Sequence, residues 1–386
     1  MPSRAATRPF GVARAGPALL RQVLVWDLPT RLFHWILVAA VFFALATGLF
    51  APKSWDGPHM IAGYVVAGLL LFRSVWAFFG APHSRLAGFV FPPREVIAHF
   101  ASLLRRRPAH YTGHNPSGAA MILALFAVLC LLVLTGFLVQ GGVEKQGPLA
   151  AFTTHAFGMT ARGIHKLVAL LLLGMIAGHL AGVAAGSLLF KERLVGAMID
   201  GRKPGADPAS HAAPGRPLAG FGLFVLLGVI LAAALLLLSR LPPLGMPAIP
   251  ADRAMLSECG SCHRPFHPSL LPRAAWARLM ADLGDHFGEN ASLAPAVRDE
   301  IARYLERYAA ESWDSKAAHR FSVLAPGDPT RITATPAWLR IHRGIDPAIF
   351  RSHAVGSRSN CAACHADADG GRFDPQAIAL PEGTQP

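Results

Sequence analysis

The chain has 386 residues and a mass of 41.0 kDa; 53% of residues are apolar, only 15% are charged, and the mean hydropathy is +0.39. Soluble domains are about one quarter charged, so this composition excludes an ordinary soluble enzyme and a disordered tail protein. The net charge of +13 is unevenly placed. Residues 1–249 carry 21 basic and 7 acidic side chains, whereas residues 250–386 carry 15 and 16. All the excess positive charge sits in the apolar part, the pattern of basic loops between membrane helices, and nucleic-acid binding is set aside.

In chain order, residues 1–21 form a basic arm. A spanning helix needs about 20 mostly apolar residues, and five stretches qualify: Leu32–Phe50, His59–Phe79, Gly118–Val139, Ile164–Phe190 and Leu218–Ser239. The expected domains are 22–217 (a four-helix membrane domain), 218–240 (a fifth span), 241–250 (a Pro-rich linker, LPPLGMPAIP) and 251–386 (a soluble domain). The arm and the loops after spans two and four hold most of the Lys and Arg, including Arg105–Arg107, Lys191, Arg193, Arg202 and Lys203. By the positive-inside rule the N-terminus is cytoplasmic, and five crossings put the C-terminal domain outside. The expected location is the bacterial inner membrane, with lipid as the first partner.

Five cysteines are present. Cys130 lies alone in span three and reads as a small buried side chain. The others form two identical signatures, Cys259-Gly-Ser-Cys262-His263 and Cys361-Ala-Ala-Cys364-His365. Cys-x-x-Cys-His is the attachment pattern of c-type haem: two thiols at this spacing reach the two vinyl groups on one porphyrin edge, and the following His lies beneath the iron. A four-cysteine zinc site leaves both histidines unexplained. A sixth iron ligand is sought among His267, His286, His319, His342 and His353, because neither Met255 nor Met280 is well placed. His286 is far enough from Cys262 to fold back; His267, four residues from His263, is too near. His342 and His353 both precede the second site, with His342 preferred.

An imidazole within a bilayer is costly and marks a functional position. Four occur, His34, His59, His165 and His179, while His83, His99, His110, His114, His155 and His211 read as loop residues. His165 and His179 are 14 residues apart, about 40° short of four turns and about 21 Å in rise. They share a face of span four at two depths, which pairs His59 with His165 on the outer side and His34 with His179 on the inner side. Two b-type haems are expected, one per pair. Gly63, Gly174, Gly178, Gly182 and Gly186 would leave helix faces bare beside a porphyrin, although small-residue helix packing gives the same pattern. Arg31, Arg162 and Lys166 are either propionate partners or topological charges.

VWDLPTRLFHW (Val25–Trp35), HMIAGY (His59–Tyr64) and RGIHKLVALLLLGMIAGH (Arg162–His179) resemble the bacterial cytochrome b561 and nickel-iron hydrogenase cytochrome b family. GDHFGENASL (Gly284–Leu293), RITATPAWLRIHR (Arg331–Arg343) and SNCAACHADADGGRF (Ser359–Phe373) resemble the dihaem cytochromes c, a family in which both haems have two His ligands, and this is the main ground for His286 and His342. The resemblances imply an all-α protein, a transmembrane bundle followed by a mostly helical dihaem domain, holding two haem b and two haem c. They imply a relay between quinone or quinol and a soluble periplasmic electron acceptor or donor, such as a small c-type cytochrome, in either direction. No acid, base or nucleophile constellation is found, so the chain reads first as an electron carrier, with quinol:cytochrome c oxidoreductase-type activity as its expected enzymatic form. The alternatives are a superoxide- or quinol-oxidising enzyme and an anchor subunit of a hydrogenase or dehydrogenase; the C-terminal fusion departs from a stand-alone hydrogenase subunit.

Overall fold

The computed structural model describes residues 21–106, 111, 113–205 and 217–381. The fold is helical, apart from one two-stranded antiparallel ribbon of β1 (Arg21–Leu24) and β2 (Arg202–Gly205) among the described residues. The long helices are α1 (Leu28–Phe50), α2 (Asp56–Phe79), α4 (Pro116–Gly142), α5 (His155–Leu188) and α7 (Pro217–Ser239). Each is long and apolar enough to cross a membrane, and a helix satisfies its own backbone there. The short α3 (Pro93–Leu104) and α6 (Leu194–Asp200) belong to the loops. Phe42, Phe50, Leu167 and Leu237 stand largely exposed, as lipid-facing side chains do.

The chain separates into two compact units. The first comprises Met1–Ile36, Phe72–Ala124 and Met175–Leu223. Asp27 organises it: its carboxylate caps α1 by accepting from the Thr30 N–H (3.0 Å) and takes the Trp76 indole N–H (2.9 Å), a sound N-cap. Two expected loop histidines are packed here instead. His99 is buried on α3 with Nδ1 2.8 Å from the Ser117 hydroxyl, and His114 lies between Trp26 and Phe89. His110 and His211 fall outside the described residues.

The second unit comprises Leu37–Leu71, Leu125–Gly174 and Phe224–Pro386. Its C-terminal part is built of short helices: α8 (Arg253–Glu258), α9 (Arg273–Ala281), α10 (Pro295–Arg307), α11 (Lys316–Phe321), α12 (Pro336–His342) and α13 (Pro347–Phe350). They enclose one core around Leu270, Leu271, Trp276, Ile301, Leu305 and Trp338, and each large apolar side chain buried there contributes about 1.5–3 kcal/mol. Side-chain caps from Asp252, Ser315, Thr335 and Asp346 start α8, α11, α12 and α13. The Pro-rich segment is pinned rather than free: the Leu244 N–H donates to Ala150 O (2.9 Å), and Gly245 O accepts from the Asp314 N–H (2.8 Å). Gly245 has φ +71°, and a Cβ there would meet Asp314 Cβ at 2.4 Å, so only glycine fits.

α5 begins at His155, nine residues before the expected start. The early turns lie against α4: a Cβ on Gly158 would meet the Gly142 Cα at 2.8 Å, so the two backbones touch. His155 therefore opens a helix, and its ring stacks on His319 with centroids 4.4 Å apart.

Candidate haem-ligand pairs

The membrane histidines meet in two pairs, each within one unit. His59 on α2 and His165 on α5 face each other with ring centroids 6.2 Å apart and planes at 79°. His34 on α1 and His179 on α5 lie within electrostatic reach of one another, and His34 Nδ1 is buried without a hydrogen-bond partner. In the C-terminal part, His263 and His286 are 6.2 Å apart with planes at 13°, and His342 and His365 are 6.2 Å apart with planes at 77°.

That recurring separation has a geometric reading. Two imidazoles on opposite sides of one metal, at about 2 Å per metal–nitrogen bond, have ring centroids about 6 Å apart. Direct stacking gives less, as the 4.4 Å of His155 and His319 shows. The other nitrogen of several of these rings is engaged. His263 Nδ1 is 2.9 Å from Arg264 O, and His342 Nδ1 is 2.9 Å from Trp338 O. A carbonyl only accepts, so Nδ1 carries the proton and Nε2 keeps its lone pair for a metal. Burial lowers the pKa of His286, His342 and His365, which favours the neutral imidazole that ligation needs.

Local structure presents each ring. The Thr335 hydroxyl, fully buried, accepts from the Trp338 N–H and starts α12, which ends at His342. His286 sits at a tight bend, its N–H donating to Glu289 O at 2.7 Å, with Phe287 at φ +56° and Gly288 at φ +98°. A left-handed phenylalanine is strained, and its ring is held beneath the Arg331 guanidinium. His353 is exposed and His319 faces His155. His267 is buried, its Nδ1 2.8 Å from the Ser269 hydroxyl and accepting from the Ser269 N–H.

The first signature turns through Cys259–Ser261 and the second through Cys361–Ala363, with the His365 N–H donating to Cys361 O at 2.8 Å. All four thiols are free of disulfides. Burial raises the pKa of Cys259 and Cys364 and pushes the Cys361 thiol up to about 11, so these side chains stand as neutral thiols. Among the described residues no three His, Cys, Asp or Glu side chains converge on one metal position.

Residues 25–201 match the family model described as prokaryotic cytochrome b561, and residues 255–373 match the one described as dihaem cytochrome c. The chain joins a prokaryotic cytochrome b561 domain to a dihaem cytochrome c domain. The b561 domain is 30% identical over 162 residues to a probable Ni/Fe-hydrogenase B-type cytochrome subunit of Cupriavidus necator, a match covering 36% of this chain and 66% of that one. It is 24% identical to a probable Ni/Fe-hydrogenase 1 B-type cytochrome subunit of Escherichia coli K12, over 46% of this chain and 88% of the relative. The dihaem domain is 38% identical to the solved diheme cytochrome c from Rhodobacter sphaeroides, covering 32% of this chain and 97% of that one at a TM-score of 0.28. The protein is thus a membrane electron-transfer haem protein.

The glycines of the b561 domain separate two uses. Gly142 and Gly158 are packing glycines: a Cβ on either would stand within 3 Å of the other's backbone. At Gly63, one turn beyond His59, and at Gly174 and Gly182 on α5, an added Cβ meets no atom within 4 Å. These faces are bare for something flat, and with the facing rings they fit haem. Gly178 makes only ordinary contact with Met121, and Gly186 packs on Leu194. Arg31 donates through Nη1 to Ile199 O and keeps a buried Nε without a partner; Lys166 is exposed, and Arg162 is half-buried near Arg320. Two side chains outside the sequence-predicted set complete the outer pair. Thr47 Oγ1 is 3.1 Å from His59 Nδ1, and Thr135 Oγ1 is 3.0 Å from His165 Nδ1. The signal that marks them is a repeated Thr-Gly, Thr47-Gly48 and Thr135-Gly136, four residues or fewer from the end of an apolar run.

Proposed function

We propose that the protein holds two b haems and two c haems and relays electrons between the quinone pool and a soluble periplasmic partner. The observation that carries this reading is the common 6.2 Å separation of three imidazole pairs, with His34 and His179 as the fourth. His34 and His179 ligate the inner haem b, and His59 and His165 the outer. His263 and His286 ligate the first haem c, tethered at Cys259 and Cys262; His365 and His342 ligate the second, tethered at Cys361 and Cys364. When bound, such six-coordinate haems supply one-electron transfer rather than oxygen binding. The residues' part is to hold the rings neutral, fix their planes and keep water off the metal. The basic N-terminal arm and the basic loops after spans two and four support a cytoplasmic N-terminus and a periplasmic dihaem domain in the bacterial inner membrane. A second reading, a membrane anchor for a hydrogenase, is favoured by the names of the b561 relatives; the attached dihaem domain supports an acceptor of its own.

The test is a pyridine haemochromogen spectrum of the purified full chain, with a haem stain after denaturing electrophoresis. Two b and two c haems per chain are expected, the stain staying with the polypeptide. Two c haems without b would reduce the membrane domain to an anchor, and zinc without covalent haem would overturn the reading entirely.

A further inference from the structure

The outer membrane pair is built twice from the same parts. In the hairpin of α1 and α2, the Thr47 hydroxyl donates within its own helix, lying 2.8 Å from Phe43 O and 3.2 Å from Ala44 O. His59 Nδ1, on the next helix, is 3.0 Å from Ala44 O and 3.1 Å from Thr47 Oγ1. In the hairpin of α4 and α5, the Thr135 hydroxyl lies 2.7 Å from Leu131 O and 3.1 Å from Leu132 O. His165 Nδ1 is 3.0 Å from Thr135 Oγ1, and the ring also hydrogen-bonds the Leu132 backbone.

A hydroxyl has one proton. Each threonine spends it on its own helix, three or four residues back, and so accepts from the imidazole. The carbonyl beside it likewise accepts only, so Nδ1 is the protonated nitrogen in both rings and Nε2 the free one. The glycine after Thr47 makes room for the ring, since a Cβ on Gly48 would lie 3.0 Å from His59 Cε1; at Gly136 an added Cβ would be in ordinary contact with His165 Cε1, at 3.6 Å. Bonds of this kind orient a metal-bound imidazole and raise its basicity. The inner pair lacks the device at His34, whose Nδ1 has no partner.

We propose that Thr47 and Thr135 are positioning residues for the His59–His165 pair, fixing tautomer and ring plane and making both imidazoles stronger donors to ferric iron. This role rests on the ligand assignment above. A stronger donor favours the ferric state, so removing the acceptor raises the midpoint potential of that one haem.

The experiment is spectroelectrochemical titration of the full chain in detergent, with haem content measured alongside. Thr47→Val and Thr135→Val each shift one b-type midpoint upward, the double variant shifts it further, and Thr→Ser at either position leaves it where it was. The other three midpoints stay fixed. If the Val variants lose that haem while the Ser variants keep it at the native potential, positioning is equally supported. An unmoved midpoint in a haem-replete double Val variant overturns the inference, as does haem loss in the Ser variants. His59→Ala separates the two claims: retention of both b haems there defeats the ligand assignment itself, whereas loss of one with no threonine effect defeats only the inference.

Discussion

Histidines in the dihaem domain divide by the partners of their nitrogens. His342 and His263 each give Nδ1–H to a carbonyl and keep Nε2 free, while His267 uses Nδ1 as an acceptor to cap the turn at Ser269. Burial pushes the His267 pKa down to about 4, against the raising influence of Asp369. The folded state thus disfavours a proton that the unfolded chain takes up at about pH 6.5. The stabilisation is whole above that pH and is lost as pH falls toward 4. Thermal unfolding of the full protein should show the dihaem domain weakening across this window, and His267→Asn, which keeps an acceptor but cannot titrate, should flatten the slope; an unchanged slope would refute the assignment. The four membrane histidines and the two that follow Cys-x-x-Cys are legible in the sequence, because an imidazole in either setting has few structural excuses. Thr47 and Thr135 leave only the repeated Thr-Gly as a trace in the sequence, because a threonine in an apolar helix satisfies itself on its own backbone, and the bond to the His across the hairpin shows only in the fold.

Spanning helices are legible as elements because about 20 apolar residues have no other home. Their ends are not. α5 runs on to His155 because Gly158 meets Gly142 and because Asp314 caps it, accepting from the His155 N–H at 2.7 Å. The same carboxylate takes Lys145 Nζ at 2.7 Å and faces His319 Nε2 at 2.9 Å. Burial opposes the Asp314 charge, and the bonds from Lys145, His319 and His155 outweigh it, holding its pKa below the usual range. Lys145 is only 3% exposed, so Asp314→Ala would strand a buried cation at a cost of about 3 kcal/mol. The predicted readout is a lower unfolding temperature and faster proteolysis near Pro243. Adding Lys145→Met should recover most of the loss; no recovery would show that the pair is not what holds α5 to the C-terminal helices. The anchoring of the Pro-rich segment is hidden for a related reason: composition reports stiffness, not the hydrogen bonds that Leu244 and Gly245 find at Ala150 and Asp314.

At the scale of the molecule, one unit contains both the outer histidine pair and the dihaem domain. The segment closing the second signature is tied to its own Cys-x-x-Cys turn, Ala366 N–H donating to Ala377 O and Ala379 N–H to Cys364 O, and it also touches the b561 part: Arg372 donates to Lys145 O in the loop after α4, and Gln376 lies against Gly57 on α2, two residues from His59. Arg264, beside His263, pairs with Asp369, near His365. Packing of this kind favours a fixed relay over a tethered shuttle. The most direct measurement is anaerobic mixing of the full chain in lipid nanodiscs with a quinol, following the c-haem absorbance, and the reverse with reduced c haems and quinone. Electron exchange in at least one direction is predicted for the native chain, and its loss in His165→Ala with both c haems still attached. No exchange in either direction, or exchange undiminished in His165→Ala, would contradict the relay.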